Sequence, residues 1–217
     1  MKHAPKPPSR FWLAKAVRAT AGRLVPALFR TRISGAEHIP DCGVILAGNH
    51  ISYADPVLLW LRAPRPTHFM AKSELWESAV LAWGLDHFWA FPVKRGEADR
   101  EALVRASALL KAGEQVGIFP EGTRNLDGSA EAQQGAAFLA IRNGVPVVPV
   151  GIVGTDRISP PGSRMIHFPK VTISFGEPID PAGFTQGKSG ERVEAMTAEI
   201  MRRIAEELDS AKRGPQE

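Results

Sequence analysis

At 217 residues, 44% of them hydrophobic and 23% charged, the chain can bury one substantial core, and its composition excludes a disordered tail or a multi-span membrane protein. Its single cysteine, Cys42, excludes an internal disulfide and a cysteine metal cluster, and fits a reducing, cytoplasmic setting. The net charge of +4 is uneven: residues 1 to 32 carry eight Lys/Arg and no acid, so 19 basic residues against 23 acidic ones leave the rest of the chain at −4.

The positive end points to an anionic partner, either nucleic acid or a membrane surface. From about Phe11 to Phe29 apolar residues recur at helical spacing, with Leu13, Val17, Leu24 and Leu28 on one face and Lys15, Arg18, Arg23 and Arg30 mostly on the other. These charges interrupt the apolar stretch of roughly 20 residues that a spanning helix needs. The spacing therefore predicts a basic amphipathic helix that lies on a membrane surface, or one packed on its own domain with a solvated basic face. A clean signal-peptide centre with a cleavage site is also missing.

After Arg32-Ile33-Ser34-Gly35, the apolar run Gly43-Val44-Ile45-Leu46-Ala47 reads as a buried strand ending at Asn49-His50. Asp55-Pro56 then opens a helix, with Asp55 as its N-cap and Val57, Leu58, Leu59 and Leu61 as apolar positions. His68 to Ala71 is a strand, followed by Lys72 and a helical stretch through Ser78 to Trp83. Phe88 to Val93 is another strand, leading into Lys94-Arg95. Glu101 to Lys111 is an amphipathic helix stopped by Gly113, and Gln115 to Phe119 is a strand that delivers the turn Pro120-Glu121-Gly122-Thr123-Arg124. Gly135 to Asn143 is a short helix, Val145 to Val153 a buried strand, Val171 to Phe175 a further strand, and Gly190 to Lys212 a closing helix with charged i, i+4 spacings. This alternation predicts an α/β fold, a single domain whose mixed, mostly parallel sheet is flanked by helices. Trp60, Trp76, Trp83 and Trp89 share one segment with Leu75, Val80, Leu81, Leu85 and Phe88, which suits a membrane interface, an acyl-chain groove or plain core packing.

Two short signatures carry chemistry. His50 sits at the carboxyl end of a strand, where open α/β sheets place their ligands, and Asp55 follows five positions on. Five residues turn a regular helix by about 500°, so the two side chains meet only across a tight turn before the helix. There the carboxylate can accept from one imidazole nitrogen and leave the other as a base; a histidine is largely neutral at cytoplasmic pH, as a base must be. Taken alone, the pair also fits an ordinary capped loop. The second signature, Phe119-Pro120-Glu121-Gly122-Thr123-Arg124, is a turn in which Gly122 permits close backbone approach and Arg124 can fork onto phosphate oxygens. Lys72 and Arg95 each stand at the end of a predicted strand at the same edge, so three basic groups would converge into a phosphate clamp.

Both signatures, together with Phe91-Pro92-Val93-Lys94-Arg95 and Val145-Pro146-Val147-Val148-Pro149-Val150, come in the order seen in the glycerophospholipid acyltransferases, and the chain resembles most the 1-acyl-sn-glycerol-3-phosphate (lysophosphatidic acid) acyltransferases over roughly residues 33 to 180. The resemblance implies acyl transfer from a thioester, acyl-CoA or acyl-ACP as co-substrate, to the free hydroxyl of a lysophospholipid, giving phosphatidic acid in phospholipid biosynthesis. It implies His50 as the base and Asp55 as its orienting carboxylate; Lys72, Arg95, Gly122, Thr123 and Arg124 as phosphate-binding residues; and Glu121 and Asn49 as residues that order the turn or meet the acceptor. Neither a metal nor any other cofactor is implied. This sequence departs from the family pattern at Asn125, where a serine is common, and at Gln134-Gly135, where Lys-Gly is often seen.

The expected organisation is a membrane-associating helix over residues 1–31 and an acyltransferase domain over residues 32–217, peripheral on the cytoplasmic face of the cell membrane. Its partners would be a lysophospholipid acceptor, the acyl donor and an anionic membrane surface, with no nucleic acid, since the basic residues share a helix with a wide apolar face. The alternatives are a related acyltransferase on another lysolipid or glycolipid, a metal phosphoesterase using His50 and Asp55 as ligands, and a non-catalytic lipid-binding module. The other histidines, His3, His38, His68, His87 and His167, fall in no ligand-like spacing.

Overall fold

A computed structural model describes residues 11–93, 99–122, 132–160, 162 and 165–214. In chain order these form α1 (Phe11–Leu28), β1 (Arg32–Ser34), β2 (Val44–Gly48), α2 (Asp55–Arg62), β3 (Thr67–Lys72), α3 (Ala79–His87), β4 (Ala90–Val93), α4 (Arg100–Lys111), β5 (Gln115–Ile118), α5 (Gly135–Asn143), β6 (Val147–Val153), β7 (Thr172–Phe175) and α6 (Ser189–Arg213). The strands make one sheet in the order β1-β7-β6-β2-β5-β3-β4. From β6 to β4 every neighbouring pair is parallel; β7 runs antiparallel to β6, and β1 lies parallel to β7. The sheet is thus mixed and mostly parallel, as the alternation of elements predicts. The carboxyl ends of five strands share one edge with the amino ends of β7 and β1.

Strand β2 lies at the centre, and each of its residues is buried because helices cover both faces. Its period of two sends Ile45 and Ala47 into a core built with α4, α5 and α6, and Val44 and Leu46 into a second core built with α2 and Phe29. On the first face Val193, Met196, Ile200 and Ile204 form the inward stripe of α6, and Asp99 starts α4 by accepting from Ala102 N at 3.0 Å. On the second face Leu58, Leu59, Trp60 and Leu61 of α2 meet Phe69, Val148, Val150, Ile152, Ile173 and Phe175.

Helix α1 packs on this second face with a different side from the one its leucines suggest. Ala21 and Val25 turn inward against the core, while Leu24 and Leu28 are exposed. Arg18 does not join a solvated basic face. Its Nη2 donates to the Ala63 carbonyl, its guanidinium lies 5.8 Å from the Trp60 ring, and burial lowers its pKa. Polar contacts hold this side inward as well: besides the Arg18 bond, Arg62 Nη1 of α2 donates to the Gly22 carbonyl at 3.5 Å. Among the described residues no helix is long and apolar enough to cross a membrane.

Candidate active site

The site lies at the carboxyl edge, where β2 gives way to Asn49 and His50. Both residues are buried. Asn49 extends β2 with its side chain: Oδ1 accepts from Ile152 N at 2.7 Å and Nδ2 donates to the Ile152 carbonyl at 2.9 Å. A primary amide has a donor and an acceptor at the spacing of a peptide group, so it completes the sheet contact to β6 where the backbone turns away. The next residue is therefore held from two strands.

His50 Nδ1 stands 3.0 Å from Asp55 Oδ2. The same carboxylate oxygen accepts from the backbone N–H groups of Ile51, at 2.8 Å, and Ser52, at 2.7 Å. Asp55 is fully buried, and its Oδ1 has no hydrogen-bond partner among the described residues. This corrects the expectation that Asp55 caps the helix. It lies inside the first turn of α2 beside Pro56, Ala54 holds the cap position, and the carboxylate reaches back over the preceding turn. The physical reason is that the residues ahead of the helix offer this carboxylate two backbone donors and an imidazole, three bonds where a cap would make one or two. With Nδ1 protonated and donating to Asp55, Nε2 is the basic nitrogen of the ring.

Two further contacts fix His50 from the second signature. Its backbone N–H donates to Glu121 Oε2 at 3.0 Å, bridging 71 positions. The Phe119 ring stacks on the imidazole, with centroids 4.3 Å apart and planes 17° apart. Phe119 stacks in turn on Phe69 of β3, with centroids at 5.8 Å. That row of rings has no room for a side chain on β5 beneath it: a Cβ on Gly117 would stand 2.2 Å from Phe69 Cε1. The turn after β5 closes with Gly122 N donating to the Phe119 carbonyl at 3.0 Å, and Gly122 has φ +66, a conformation glycine adopts without strain.

The expected site residues are thus distributed as follows. Asn49, His50, Asp55, Glu121 and Gly122 come together at one point of the sheet edge. Lys72 ends β3 on the same edge, half exposed, with its ammonium 3.0 Å from Glu74 Oε1. Arg95, Thr123 and Arg124 lie outside the described residues. Among the described residues no group of three or more His, Cys, Asp or Glu is placed to hold a metal ion. Sequence reading assigned no role to Phe119 or Ile152. The aromatic directly before Pro120-Glu121 was the available signal for the first; nothing in the sequence signals a backbone contact 103 positions from Asn49.

A buried histidine held by a carboxylate, at the mouth of a strand edge and beside a glycine turn, is an arrangement suited to general-base activation of a hydroxyl. Comparison with known proteins agrees with that class. The profile of the Acyltransferase family matches residues 30–153, more than half the chain and both signatures, and the chain belongs to this family of enzymes. It is similar to the 1-acyl-sn-glycerol-3-phosphate acyltransferase of Bacillus subtilis (strain 168), with 32% identity over 177 residues covering 81% of this chain and 86% of that protein. It is also similar to the chloroplastic 1-acyl-sn-glycerol-3-phosphate acyltransferase BAT2 of Brassica napus, with 30% identity over 187 residues; these cover 83% of this chain but 52% of that protein, so the chain spans about half the plant relative. Among solved structures, the crystal structure of the 1-acyl-sn-glycerophosphate (LPA) acyltransferase PlsC from Thermotoga maritima superposes with a TM-score of 0.69 at 29% identity, covering 94% of this chain and 84% of that one.

Proposed function

We propose that the protein transfers a fatty acyl group from an acyl thioester, on coenzyme A or acyl carrier protein, to the free hydroxyl of 1-acyl-sn-glycerol-3-phosphate, forming phosphatidic acid. The observation that carries this reading is the 3.0 Å contact between His50 Nδ1 and the buried Asp55 carboxylate. His50 Nε2 takes the hydroxyl proton, and Asp55 stabilises the imidazolium that results. The oxygen attacks the thioester carbonyl, and the tetrahedral intermediate collapses by breaking the carbon–sulfur bond. His50 returns its proton to the leaving thiolate. Proton and electron pairs balance without a metal or redox cofactor.

A base of this kind supplies about 10² to 10⁴ in rate, so the remainder must come from positioning. For that we assign Lys72, Arg95, Gly122, Thr123 and Arg124 to the acceptor phosphate, while Glu121 and Asn49 hold His50 in place. The acceptor is a membrane lipid and the donor arrives from water. We therefore place the enzyme as a peripheral protein at the cytoplasmic face of the cell membrane, on an anionic surface.

The test is acyl transfer to lysophosphatidic acid with acyl-CoA and with acyl-ACP, run beside His50→Ala and against a panel that includes lyso-ornithine and glycolipid acceptors. Turnover with at least one donor, lost in His50→Ala, is expected. Lysophosphatidic acid ranking among the worst acceptors would end the substrate assignment.

A further inference from the structure

Exposed large hydrophobic side chains are shared very unequally between the two faces of the molecule. Among the described residues the helix layer of α4, α5 and α6 contributes only Val104. The surface of α6 is instead covered with ion pairs, such as Arg202 with Glu199 and Lys212 with Asp209. On the other side, Leu24 and Leu28 stand one turn apart on α1, 71% and 52% exposed. The segment that joins β6 to β7 brings Ile166 and Phe168, 66% and 47% exposed, to the end of that helix. The Phe168 ring lies 5.4 Å from that of Phe29, and Arg30 Nη2 donates to the Phe168 carbonyl at 3.4 Å. Two elements remote in sequence thus make one apolar patch.

Charge says what the patch fits. Arg23, Arg30, Arg157 and Lys170 are exposed around it, α1 contains no acid, and the described part of the β6–β7 segment holds one, Asp156. The apolar surface of α3 is different, because Glu74, Glu77 and Asp86 accompany Val80, Leu81 and Trp83. Position adds the third element. β6 runs parallel to β2, so the β6–β7 segment leaves the sheet at the edge where His50 follows β2. Apolar side chains ringed by Arg and Lys suit the headgroup and acyl boundary of an anionic bilayer, where the rings and branched chains enter and the cations meet phosphate.

We propose that residues 165–168 form a second membrane-contact point, which joins the C-terminal half of α1 in one surface for an anionic lipid bilayer and holds the site edge against it. This rests on the reading of a lipid acceptor. The experiment is partition of the full chain onto phosphatidylglycerol/phosphatidylcholine vesicles, with turnover of a short-chain lysophosphatidate below its micelle concentration measured in parallel. Ile166→Asp is expected to lower partition at least about tenfold and Lys170→Glu about threefold, the latter only on anionic vesicles, whereas Val104→Asp on the opposite layer partitions like the unmodified chain. Ile166→Trp is expected to partition several-fold more tightly, and its unchanged turnover of the soluble acceptor separates that gain from misfolding. Turnover of the soluble acceptor stays unchanged in all four variants.

Unchanged partition in both Ile166 variants overturns the inference. So does an unmodified chain that turns over the soluble acceptor yet does not bind vesicles. Self-association abolished by Ile166→Asp, with vesicle partition unaffected, would make the patch a contact between copies and likewise overturn it. Partition that follows the expected pattern with no turnover of lysophosphatidate from either donor supports the contact surface and defeats the acceptor reading instead.

Discussion

A single carboxylate oxygen at Asp55 gathers three donors, the His50 ring and two backbone N–H groups, while the residue is wholly shielded from water. Charge-assisted bonds of this kind are stronger than neutral ones, and they fix both the turn and the imidazole tautomer. Asp55→Asn keeps an oxygen that can accept all three bonds, with its NH2 at the place where Oδ1 has no partner among the described residues, and removes the negative charge. The expected result is a fall in kcat of about 10² to 10⁴ with KM for the acceptor changed far less, because the interaction lost is one that grows as the imidazole becomes charged. Steady-state kinetics with lysophosphatidate decide it, and a kcat near that of the unmodified enzyme would remove Asp55 from the mechanism. His68 offers a second residue-scale test, on stability. Partly buried on β3 and stacked on Trp89 with ring centroids 5.0 Å apart, it has its pKa pushed down from 6.5 to about 4, by desolvation first and by the nearby Arg105 second. The Glu114 carboxylate, 3.9 Å away and partly exposed, does not offset this. The unfolded chain therefore binds the proton before the folded one as pH falls. The stability due to neutral His68 is complete above pH 6.5 and is lost on the way down to about pH 4, on the order of 3 kcal/mol in total. Urea midpoints at pH 7.5 and 4.5 should converge more in His68→Gln than in the unmodified protein, and an identical loss in both would refute the assignment.

At the scale of elements, the site is carried by β5 as much as by β2. The row Phe69, Phe119, His50 stands over Gly117, so a methyl group there must displace an aromatic ring rather than the end of a flexible chain. Gly117→Ala is expected to cost about 1 to 3 kcal/mol and, by tilting Phe119, to lower kcat as well. Denaturant unfolding and turnover on the same preparation test the two halves separately, and unchanged values for both would show that the row repacks freely. Contacts such as these mark the limit of what the sequence discloses. The apolar runs of β2, β5 and β6 and the boundaries of α5 were legible because periodicity and turn residues are local. Strand β1 was not, since Arg32-Ile33-Ser34 offers a single apolar residue and pairs only with β7. The reversal between β6 and β7 was not either, because a buried apolar run has no direction. The His50–Asp55 pair could be anticipated from a five-residue spacing, but its supports at Phe119, Glu121 and Ile152 are products of tertiary packing.

For the whole molecule, the question is whether α1 is an appendage or part of the body. Its basic, amphipathic pattern alone allows both, and hydrophobicity selects the large leucines as the buried side. Packing selects otherwise. Ala21 and Val25 join the core around Trp60 and Phe29, Arg18 binds the carbonyl that ends α2, and Arg62 reaches back to Gly22. One side of the described part of the helix is thus partly buried against the body, and the leucines left outside are those of the apolar and basic surface. Deleting residues 1–28 would uncover the apolar α2 face and exchange the Arg62–Gly22 and Arg18–Ala63 hydrogen bonds for bonds to water. Newly exposed apolar area and the hydrogen bonds lost to water together cost about 1 to 3 kcal/mol, so the truncated chain is expected to unfold several degrees lower and to aggregate in buffer that contains no lipid. A helix serving only as an anchor would leave the melting temperature in lipid-free buffer untouched. Scanning calorimetry of the full and shortened chains without vesicles distinguishes the two, because in that setting any stabilisation must come from the protein's own packing.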